Sequence, residues 1–207
     1  MHQSPQETRP GATRPGETRP GEKKRPGRLI LVVGPSGAGK DSLIEGARQA
    51  LRDHPQFVFP RRIITRAADP GSEDHFTLSE AEFAAQQAAG AFFLHWDAHG
   101  LRYALPGAIA DALASGRTVI ANVSRAVIDA ARAKHPATTV IVVTAPPAVL
   151  AKRLAARGRE DAAAVEARLA RAADQPSGPG VVTVMNDGPL DAAVERFLQV
   201  LKAPAEV

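Results

Sequence analysis

The segment GPSGAGKDS (residues 34–42) has the residue types and the spacing of a phosphate-binding loop. Its first glycine is followed, after four residues, by Gly39 and Lys40. At this spacing a glycine-rich turn directs backbone N–H groups at phosphate oxygens, and the lysine ammonium reaches the β- and γ-phosphates of a bound nucleotide. The end of the segment is unusual, because Asp41 stands where a serine or threonine normally holds magnesium, and Ser42 comes one position late.

The whole loop is assigned to nucleotide binding, namely Gly34, Pro35, Ser36, Gly37, Ala38, Gly39, Lys40, Asp41 and Ser42. Asp41 can be interpreted in two ways. As an acid in the first turn of a helix, it interacts favourably with the helix dipole and needs no ligand. Beside nucleotide phosphates, however, a carboxylate is repelled unless a cation lies between them, and magnesium accepts carboxylate oxygens. We therefore predict that Asp41 contributes to a magnesium site, directly or through water.

The predicted strand RTVIAN (residues 117–122) ends in Asn122, where many phosphate-loop enzymes have an acid for the same ion. The loop has gained a carboxylate and the strand lacks one, so the local charge is kept. The alternative is that Asn122 only forms the turn after the strand.

Arginines are concentrated in the segment AKRLAARGREDAAAVEARLARA (residues 151–172), around a short glycine turn and on the helix that follows. Arginines on a mobile helix–turn–helix suit a lid that closes over transferring phosphates, stabilises their charge and excludes water. We assign this role to residues 153–171 and expect Arg157 and Arg168 to act in catalysis together with Lys40. The alternative is a solvated helix face on which acidic neighbours pair with some of these arginines.

Apolar runs that alternate with helical patterns predict an α/β fold of the P-loop NTPase type. The predicted strands span residues 29–33, 117–122, 138–144 and 181–185, and the predicted helices span about 41–52, 124–135, 148–157, 161–173 and 190–201. This order is typical of a doubly wound, mainly parallel sheet that binds ligands at the carboxyl ends of its strands. Residues 58–106 interrupt the alternation and include a capping box at Ser79 and Glu82. We interpret them as an inserted lobe that binds the second substrate over the loop.

Composition and charge narrow the class of protein further. The chain has 207 residues, 44% of them hydrophobic, and no cysteine, which excludes disulfides and thiolate metal sites. Residues 1–27 repeat the motif Thr-Arg-Pro-Gly and carry +3 of the net charge of +4. We predict that this tail is disordered and that residues 28–207 form the P-loop domain, whose nearly neutral charge argues against a nucleic-acid partner. No apolar run is long enough for a signal peptide or a membrane span, so we expect a soluble, cytoplasmic protein.

Five segments resemble, in order and spacing, those of the guanylate-kinase-like nucleoside monophosphate kinases: GPSGAGKDS, RRIITR, GSEDHFTLSEAEF, FFLHWDAHGLRYALP and RLAARGRED. The similarity extends from residue 28 to residue 201. Within that group, the Lys-Asp-Ser end of the loop and the short motifs ITR, GSE-x-H, LSE-x-EF and GRE are similar to the branch of ribose 1,5-bisphosphate phosphokinases. The resemblance implies transfer of the γ-phosphoryl group of ATP, with Mg²⁺, to ribose 1,5-bisphosphate. The product would be 5-phosphoribosyl 1-diphosphate (PRPP), formed during phosphonate degradation.

The departures from guanylate kinases concern the residues that bind the acceptor. His95 and Pro106 align with the acid and the hydroxyl that read guanine, and neither can accept the guanine N–H donors in the same way. His75 aligns with a tyrosine that grips the phosphate of GMP. The residues that the resemblance implies for the acceptor are Arg62, Arg66, His75, His95 and Tyr103. Compared with guanylate kinases, the sequence lacks the residues that bind guanine but retains cationic residues that can bind phosphate. This is the pattern expected for a small-molecule acceptor with two phosphates and no base.

One residue also departs from the closer branch, because Ala104 stands where glycine is expected, and its methyl group is expected to narrow the acceptor pocket. Two other functions stay open at this point. The first is a guanylate kinase or another nucleoside monophosphate kinase. The second is a catalytically inactive module that binds protein, although such modules usually have a degraded loop and lid, whereas Lys40, Arg157 and Arg168 are present here.

Overall fold

Two sheets, one in the body of the fold and one in a smaller lobe, organise the chain. The computed structural model describes residues 27–66, 74–155 and 175–204. In chain order the elements are β1 (Arg28–Val33), α1 (Lys40–Ala50), β2 (Phe57–Val58), β3 (Arg62–Ile64), β4 (His75–Thr77), α2 (Glu80–Ala88), β5 (Phe92–Ala98), β6 (Leu101–Pro106), α3 (Ile109–Ala114), β7 (Thr118–Asn122), α4 (Ile128–Lys134), β8 (Thr138–Thr144), α5 (Pro147–Ala155), β9 (Val181–Met185) and α6 (Leu190–Lys202).

The larger sheet has five parallel strands in the order β2-β7-β1-β8-β9. Residues 29–33 of the central strand have no exposed surface, as expected for an uninterrupted apolar run in a strand that is covered on both faces. Helices α1 and α6 cover one face, where Leu43 and Phe197 are buried in the same core cluster. Helices α3 and α4 cover the other face through Leu113 and Ile128. The predicted doubly wound α/β fold is therefore confirmed.

The smaller sheet forms the lobe and has the strand order β4-β3-β6-β5. Strands β5 and β6 make an antiparallel hairpin, and β3 pairs with β6 and β4. The predicted capping box is present, since the Ser79 hydroxyl accepts a hydrogen bond from the backbone N–H of Glu82 and the Glu82 carboxylate accepts one from the backbone N–H of Ser79. The predicted start of the lobe at residue 58 is too early, because Val58 belongs to β2 and pairs with Val119 in the larger sheet.

The predicted elements agree closely with the structure elsewhere in the described part of the chain. Strands β8 and β9 match their predicted bounds, and α6 differs from its prediction by one residue. The helix predicted over residues 124–135 begins instead as a short 3₁₀ turn at Arg125–Val127, where the Ser124 hydroxyl accepts a hydrogen bond from the N–H of Ala126. The helix predicted over residues 161–173 lies outside the described residues.

The domain begins slightly before the predicted boundary. Gly27 is buried, and its N–H donates a hydrogen bond of 3.0 Å to the carbonyl of Leu113. The rest of the predicted tail, residues 1–26, lies outside the described residues. In the described part of the chain, every helix is too short or too polar to cross a membrane.

Candidate active site

The phosphate-binding loop connects β1 to α1 at the carboxyl end of the central strand. Gly34 has φ +141°, and a β-carbon there would lie 2.0 Å from the carbonyl oxygen of Val143 in the neighbouring strand. Gly39, directly before α1, has φ +85°, and a β-carbon there would lie 2.4 Å from Nδ2 of Asn186. Both glycines of the motif are therefore required by the backbone conformation and by the neighbours that hold the loop.

Lys40 opens α1 and bends back over the loop. Its Nζ donates hydrogen bonds to the carbonyl oxygens of Gly34, at 2.8 Å, and Pro35, at 3.0 Å. The ammonium group thus lies at the turn, where the outer phosphates of a nucleotide bind in loops of this type.

Asp41 and Asn122 are brought together by the register of the two central strands. Asn122, the last residue of β7, lies beside Val32 of β1, and the loop leaves β1 one residue later. The Nδ2 group of Asn122 donates a hydrogen bond of 2.6 Å to Oδ1 of Asp41. The loop acid and the strand-end amide, which the sequence relates to the same ion, are therefore in direct contact, and Asn122 does more than form a turn.

The donor set at this contact fits a magnesium ion. No group of three or more His, Cys, Asp or Glu side chains that could hold a metal occurs among the residues that the structure describes. Magnesium does not require such a cage, because it usually keeps several waters and binds one or two carboxylates together with phosphate oxygens of the substrate. The Asp41 side chain is exposed and lines the cleft described below, so its carboxylate is accessible to an ion there.

A cleft of about 490 Å³ separates the loop from the lobe. On the loop side it is lined by six residues of the predicted phosphate site besides Lys40 and Asp41: Gly34, Pro35, Ser36, Gly37, Gly39 and Ser42. On the lobe side it is lined by Arg62, Trp96, Ala98, His99 and Tyr103, and the floor between them is formed by residues 122–125. One continuous space thus joins the nucleotide site to the predicted acceptor lobe.

The lobe presents an aromatic surface with an arginine beside it. The rings of Trp96 and Tyr103 are stacked, with centroids 5.5 Å apart and planes within 7° of parallel. The guanidinium carbon of Arg62 lies 5.5 Å from the centroid of the Tyr103 ring, within range of a cation–π interaction. Trp96 stacks on Tyr103, and Tyr103 in turn contacts the guanidinium of Arg62. These contacts hold the Arg62 side chain beside the cleft.

The other three predicted acceptor residues, Arg66, His75 and His95, are not among the residues that line this cleft. The His75 side chain is buried, and its Nε2 lies 3.2 Å from the carbonyl oxygen of Arg66, which also accepts a hydrogen bond from Thr77. Arg66 is half-buried at the end of the described segment 27–66. The His95 side chain is exposed and lies in register with Ala104, whereas its neighbour Trp96 is buried and lines the cleft. Since side chains alternate along a strand, the structure brings Trp96 rather than His95 to the cleft.

The expectation that Ala104 narrows the acceptor pocket is wrong. The Ala104 side chain is fully buried in a cluster with Ile63, Phe83 and Phe92, between the lobe sheet and α2. Tyr103 lies on the other face of β6, in the cluster that contains Trp96. The extra methyl group therefore fills the interior of the lobe and leaves the cleft unchanged.

The predicted lid is described only where it begins. Arg157 and Arg168 lie outside the described residues. Helix α5 leads towards them, and its Arg153 donates a hydrogen bond of 3.4 Å to the carbonyl oxygen of Gly37. The helix that precedes the predicted lid thus contacts the phosphate loop.

Several cleft or loop-supporting residues were missed by sequence reasoning. Asn186 is buried, and its Nδ2 donates a hydrogen bond of 2.7 Å to the carbonyl oxygen of Ala38 in the loop. Ser124 and Arg125 line the cleft directly after β7, and His99 lines it at the tip of the β5–β6 hairpin with φ +55°. The positions of Ser124 and Arg125, just after a predicted parallel strand, were the one signal that could have identified them.

Comparison with known proteins agrees with this geometry. The guanylate kinase family model matches residues 26–203. A ribose 1,5-bisphosphate phosphokinase PhnN from Brucella melitensis is 50% identical over 173 residues, which cover 83% of this chain and 90% of that protein. The PhnN proteins of Acidiphilium cryptum and Methylobacterium radiotolerans are 50% and 47% identical, and the alignments cover 86% of this chain and 93% and 99% of theirs.

The chain belongs to the guanylate kinase family. Its similarity to the solved structure of guanylate kinase from Anaplasma phagocytophilum has a TM-score of 0.64, with 89% of each chain covered and 16% identity. At that identity the structural likeness supports the guanylate-kinase-like fold alone. The relatives at about 50% identity are named ribose 1,5-bisphosphate phosphokinases, so within the guanylate kinase family the chain is similar to proteins of that name.

Proposed function

We propose that this protein is an ATP-dependent kinase that phosphorylates ribose 1,5-bisphosphate to PRPP, in the catabolism of phosphonates. The observation that carries the proposal is the 50% identity to ribose 1,5-bisphosphate phosphokinases over nearly their whole length. The complete phosphate loop supports it, because an inactive binding module would have no need of Gly34, Gly39 and Lys40 in working geometry. No observation favours a guanylate kinase.

The proposed reaction requires positioning and charge stabilisation more than proton transfer. The attacking group is a phosphate oxygen of the acceptor, which is already ionised near neutral pH, so the reaction needs no general base. The new P–O bond forms to the γ-phosphorus as the bond to the β-phosphate oxygen breaks, and ADP leaves. The loop N–H groups and Lys40 hold the ATP phosphates. We propose that Arg157 and Arg168 approach them from the lid and stabilise the charge on the transferring group.

Asp41 is the residue that would hold the magnesium ion, with Asn122 fixing the orientation of its carboxylate. When bound, the ion would reduce repulsion among the phosphate oxygens. Asp41 and Asn122 keep one negative charge at the end of the loop, where the phosphate oxygens are concentrated.

The acceptor is proposed to bind against the lobe. Arg62 and Tyr103 line the cleft opposite the loop. We propose that the Arg62 guanidinium and the Tyr103 hydroxyl bind the phosphate that reacts. His75 pairs with Arg62 in the lobe sheet and is connected to Arg66 through the Arg66 carbonyl. A guanine base would find few hydrogen-bond partners in this cleft. The His95 side chain is exposed on the face of β5 opposite to Trp96, and Pro106 has no hydroxyl group. We propose that the protein acts on small molecules in the cytoplasm, without a nucleic-acid partner.

The test is a panel of acceptors incubated with ATP and Mg²⁺, with the product identified by chromatography. We expect PRPP from ribose 1,5-bisphosphate, and a value of kcat/KM for GMP that is lower by about 100-fold or more, because one or two unpaired polar groups of the base cost that much. The Lys40→Ala variant, purified in parallel, controls for contaminating kinases. Comparable efficiency with GMP would instead make the protein a guanylate kinase.

A further inference from the structure

Arg125 lies in the cleft without a role in the reaction as described so far. It is the first residue of the 3₁₀ turn that follows β7, and this turn packs against β5 of the lobe. The preceding Ser124 caps the turn through its hydroxyl group. The Arg125 side chain is half-buried and lines the same cleft as Arg62 and Lys40. A short capped turn that is held between the sheet and the lobe therefore presents a guanidinium to the acceptor space.

The two arginines of the cleft come from different parts of the fold. Arg62 belongs to β3 of the lobe and is supported by Tyr103. Arg125 follows the end of β7 in the larger sheet, three residues after Asn122, which contacts Asp41. An acceptor that enters between the loop and the lobe thus meets one guanidinium on the lobe and another on the floor of the cleft.

We propose that Arg125 binds the phosphate of the acceptor that does not react, and that it thereby selects sugar bisphosphates over sugar monophosphates. The proposal rests on the proposed function, in which the 1-phosphate reacts and contacts Arg62 and Tyr103. The 5-phosphate of the same molecule then enters a cleft of about 490 Å³ whose floor carries Arg125. A second phosphate in a cleft of this size requires a cation, because burial of an unpaired charge is unfavourable. A planar guanidinium meets this need by donating two parallel hydrogen bonds to phosphate oxygens.

The experiment separates the two phosphates by using probes that carry one each. Ribose 5-phosphate and ribose 1-phosphate are titrated by calorimetry into the wild-type protein and into the Arg125→Gln and Arg125→Lys variants, without turnover. We expect Arg125→Gln to lower the affinity for ribose 5-phosphate by about 10- to 100-fold, because hydrogen bonds to a charged group are lost. The affinity for ribose 1-phosphate should change by less than about twofold. Arg125→Lys should recover part of the affinity for ribose 5-phosphate, because lysine keeps the positive charge but cannot donate two parallel hydrogen bonds as a guanidinium does.

The matched control is Arg117→Gln. Arg117 precedes β7 as Arg125 follows it, so the two arginines flank the same strand at opposite ends, and the Arg117 side chain is exposed. This variant removes the same charge and should bind both probes as the wild-type protein does. It also separates a local effect of Arg125 from a change in net charge.

ATP is titrated into the same variants in parallel. Three results would overturn the proposal: an equal loss of affinity for both sugar phosphates, a selective loss for ribose 1-phosphate, or a loss confined to ATP. The first would mean that Arg125 only supports the fold, and the others that it serves the reacting phosphate or the nucleotide. Failure of the proposed function would be seen separately, as the absence of PRPP formation by the wild-type protein. Normal PRPP formation with unchanged ribose 5-phosphate binding in Arg125→Gln would contradict the inference alone.

Discussion

The side-chain amide of Asn122 donates a hydrogen bond of 2.6 Å to the carboxylate of Asp41, across 81 residues of sequence. It joins the end of β7 to the first turn of α1. Many phosphate-loop enzymes have a hydroxyl on the loop and an acid on the strand, whereas here the acid is on the loop and an amide is on the strand. Both arrangements carry one negative charge, and the hydrogen bond fixes the direction of the carboxylate.

The first prediction concerns the magnesium requirement. Asp41→Ala removes the carboxylate, so we expect turnover to fall strongly and the magnesium concentration at half-maximal rate to rise. Asp41→Ser should keep more activity than Asp41→Ala, because a hydroxyl oxygen is still a magnesium ligand. Magnesium titrations of the steady-state rate, at constant ATP, measure both effects. If both variants behave as the wild-type protein, the Asp41 carboxylate only stabilises the first turn of α1 through the helix dipole and has no part in magnesium binding.

The exchanged pair provides the matched control for that prediction. Asn122→Asp places two carboxylates in contact and should increase the dependence on magnesium, because only a cation relieves their repulsion. The double variant Asp41→Ser with Asn122→Asp has the common arrangement, and we expect its magnesium dependence to return towards the wild-type value. Additive effects of the two substitutions would show that the side chains do not act as a pair.

The second prediction concerns Lys40. Lys40→Ala should lower kcat/KM by about 100-fold or more, because a loop cation stabilises charge on the transferring phosphoryl group. The fold should remain, since the Lys40 ammonium donates hydrogen bonds to the loop carbonyls of Gly34 and Pro35 and is not part of the apolar core. Steady-state kinetics and a thermal melt, run on the same sample, test both statements. Substantial residual turnover would place the chemistry elsewhere in the molecule.

The third prediction concerns Asn186, which directly follows β9 and supports the loop. Its amide donates to the carbonyl of Ala38 and its side chain is only 3% exposed. Asn186→Ala leaves that carbonyl without this donor, so we expect a loss of about 1–3 kcal/mol in the free energy of unfolding and a higher KM for ATP. Asn186→Asp should be worse, because a carboxylate cannot donate and would repel the carbonyl oxygen. Chemical denaturation and ATP titrations check the order, and an aspartate variant as stable as wild type would contradict it.

The sequence was sufficient to predict most of the fold, because the features that define it are local. The apolar run of residues 29–33 and the glycine spacing of the loop each depend on neighbours within a few positions. The same holds for the capping box at Ser79 and Glu82. The charge balance between Asp41 and Asn122 was also proposed from the sequence, whereas their direct hydrogen bond depends on the register of β1 and β7 and was not predicted.

The remaining site residues depend on register and on long-range packing, which a single sequence does not reveal. Asn186 reaches the loop from the edge of the sheet, 148 residues away in sequence, and in the sequence it resembles an ordinary turn residue. The choice between His95 and Trp96 depends on which face of β5 meets the cleft, and an irregularity in the pairing of β5 and β6 lies between Phe92 and Leu94. One shift of register exchanges the two faces of a strand, so the acceptor side was the less predictable half of the site.

The fourth prediction separates the two roles of Tyr103. Tyr103→Phe keeps the ring that stacks on Trp96 and supports Arg62 but removes the hydroxyl, so we expect the acceptor KM to rise about tenfold while the ATP KM is unchanged. Tyr103→Leu removes the ring as well and should reduce acceptor use further, because Arg62 loses its cation–π partner. Trp96 is the only tryptophan of the chain, so its fluorescence reports whether the aromatic stack is kept in each variant. Equal effects of both substitutions on the acceptor KM, with altered fluorescence only in Tyr103→Leu, would mean that the hydroxyl alone matters. A rise in the ATP KM with an unchanged acceptor KM would remove Tyr103 from the acceptor site.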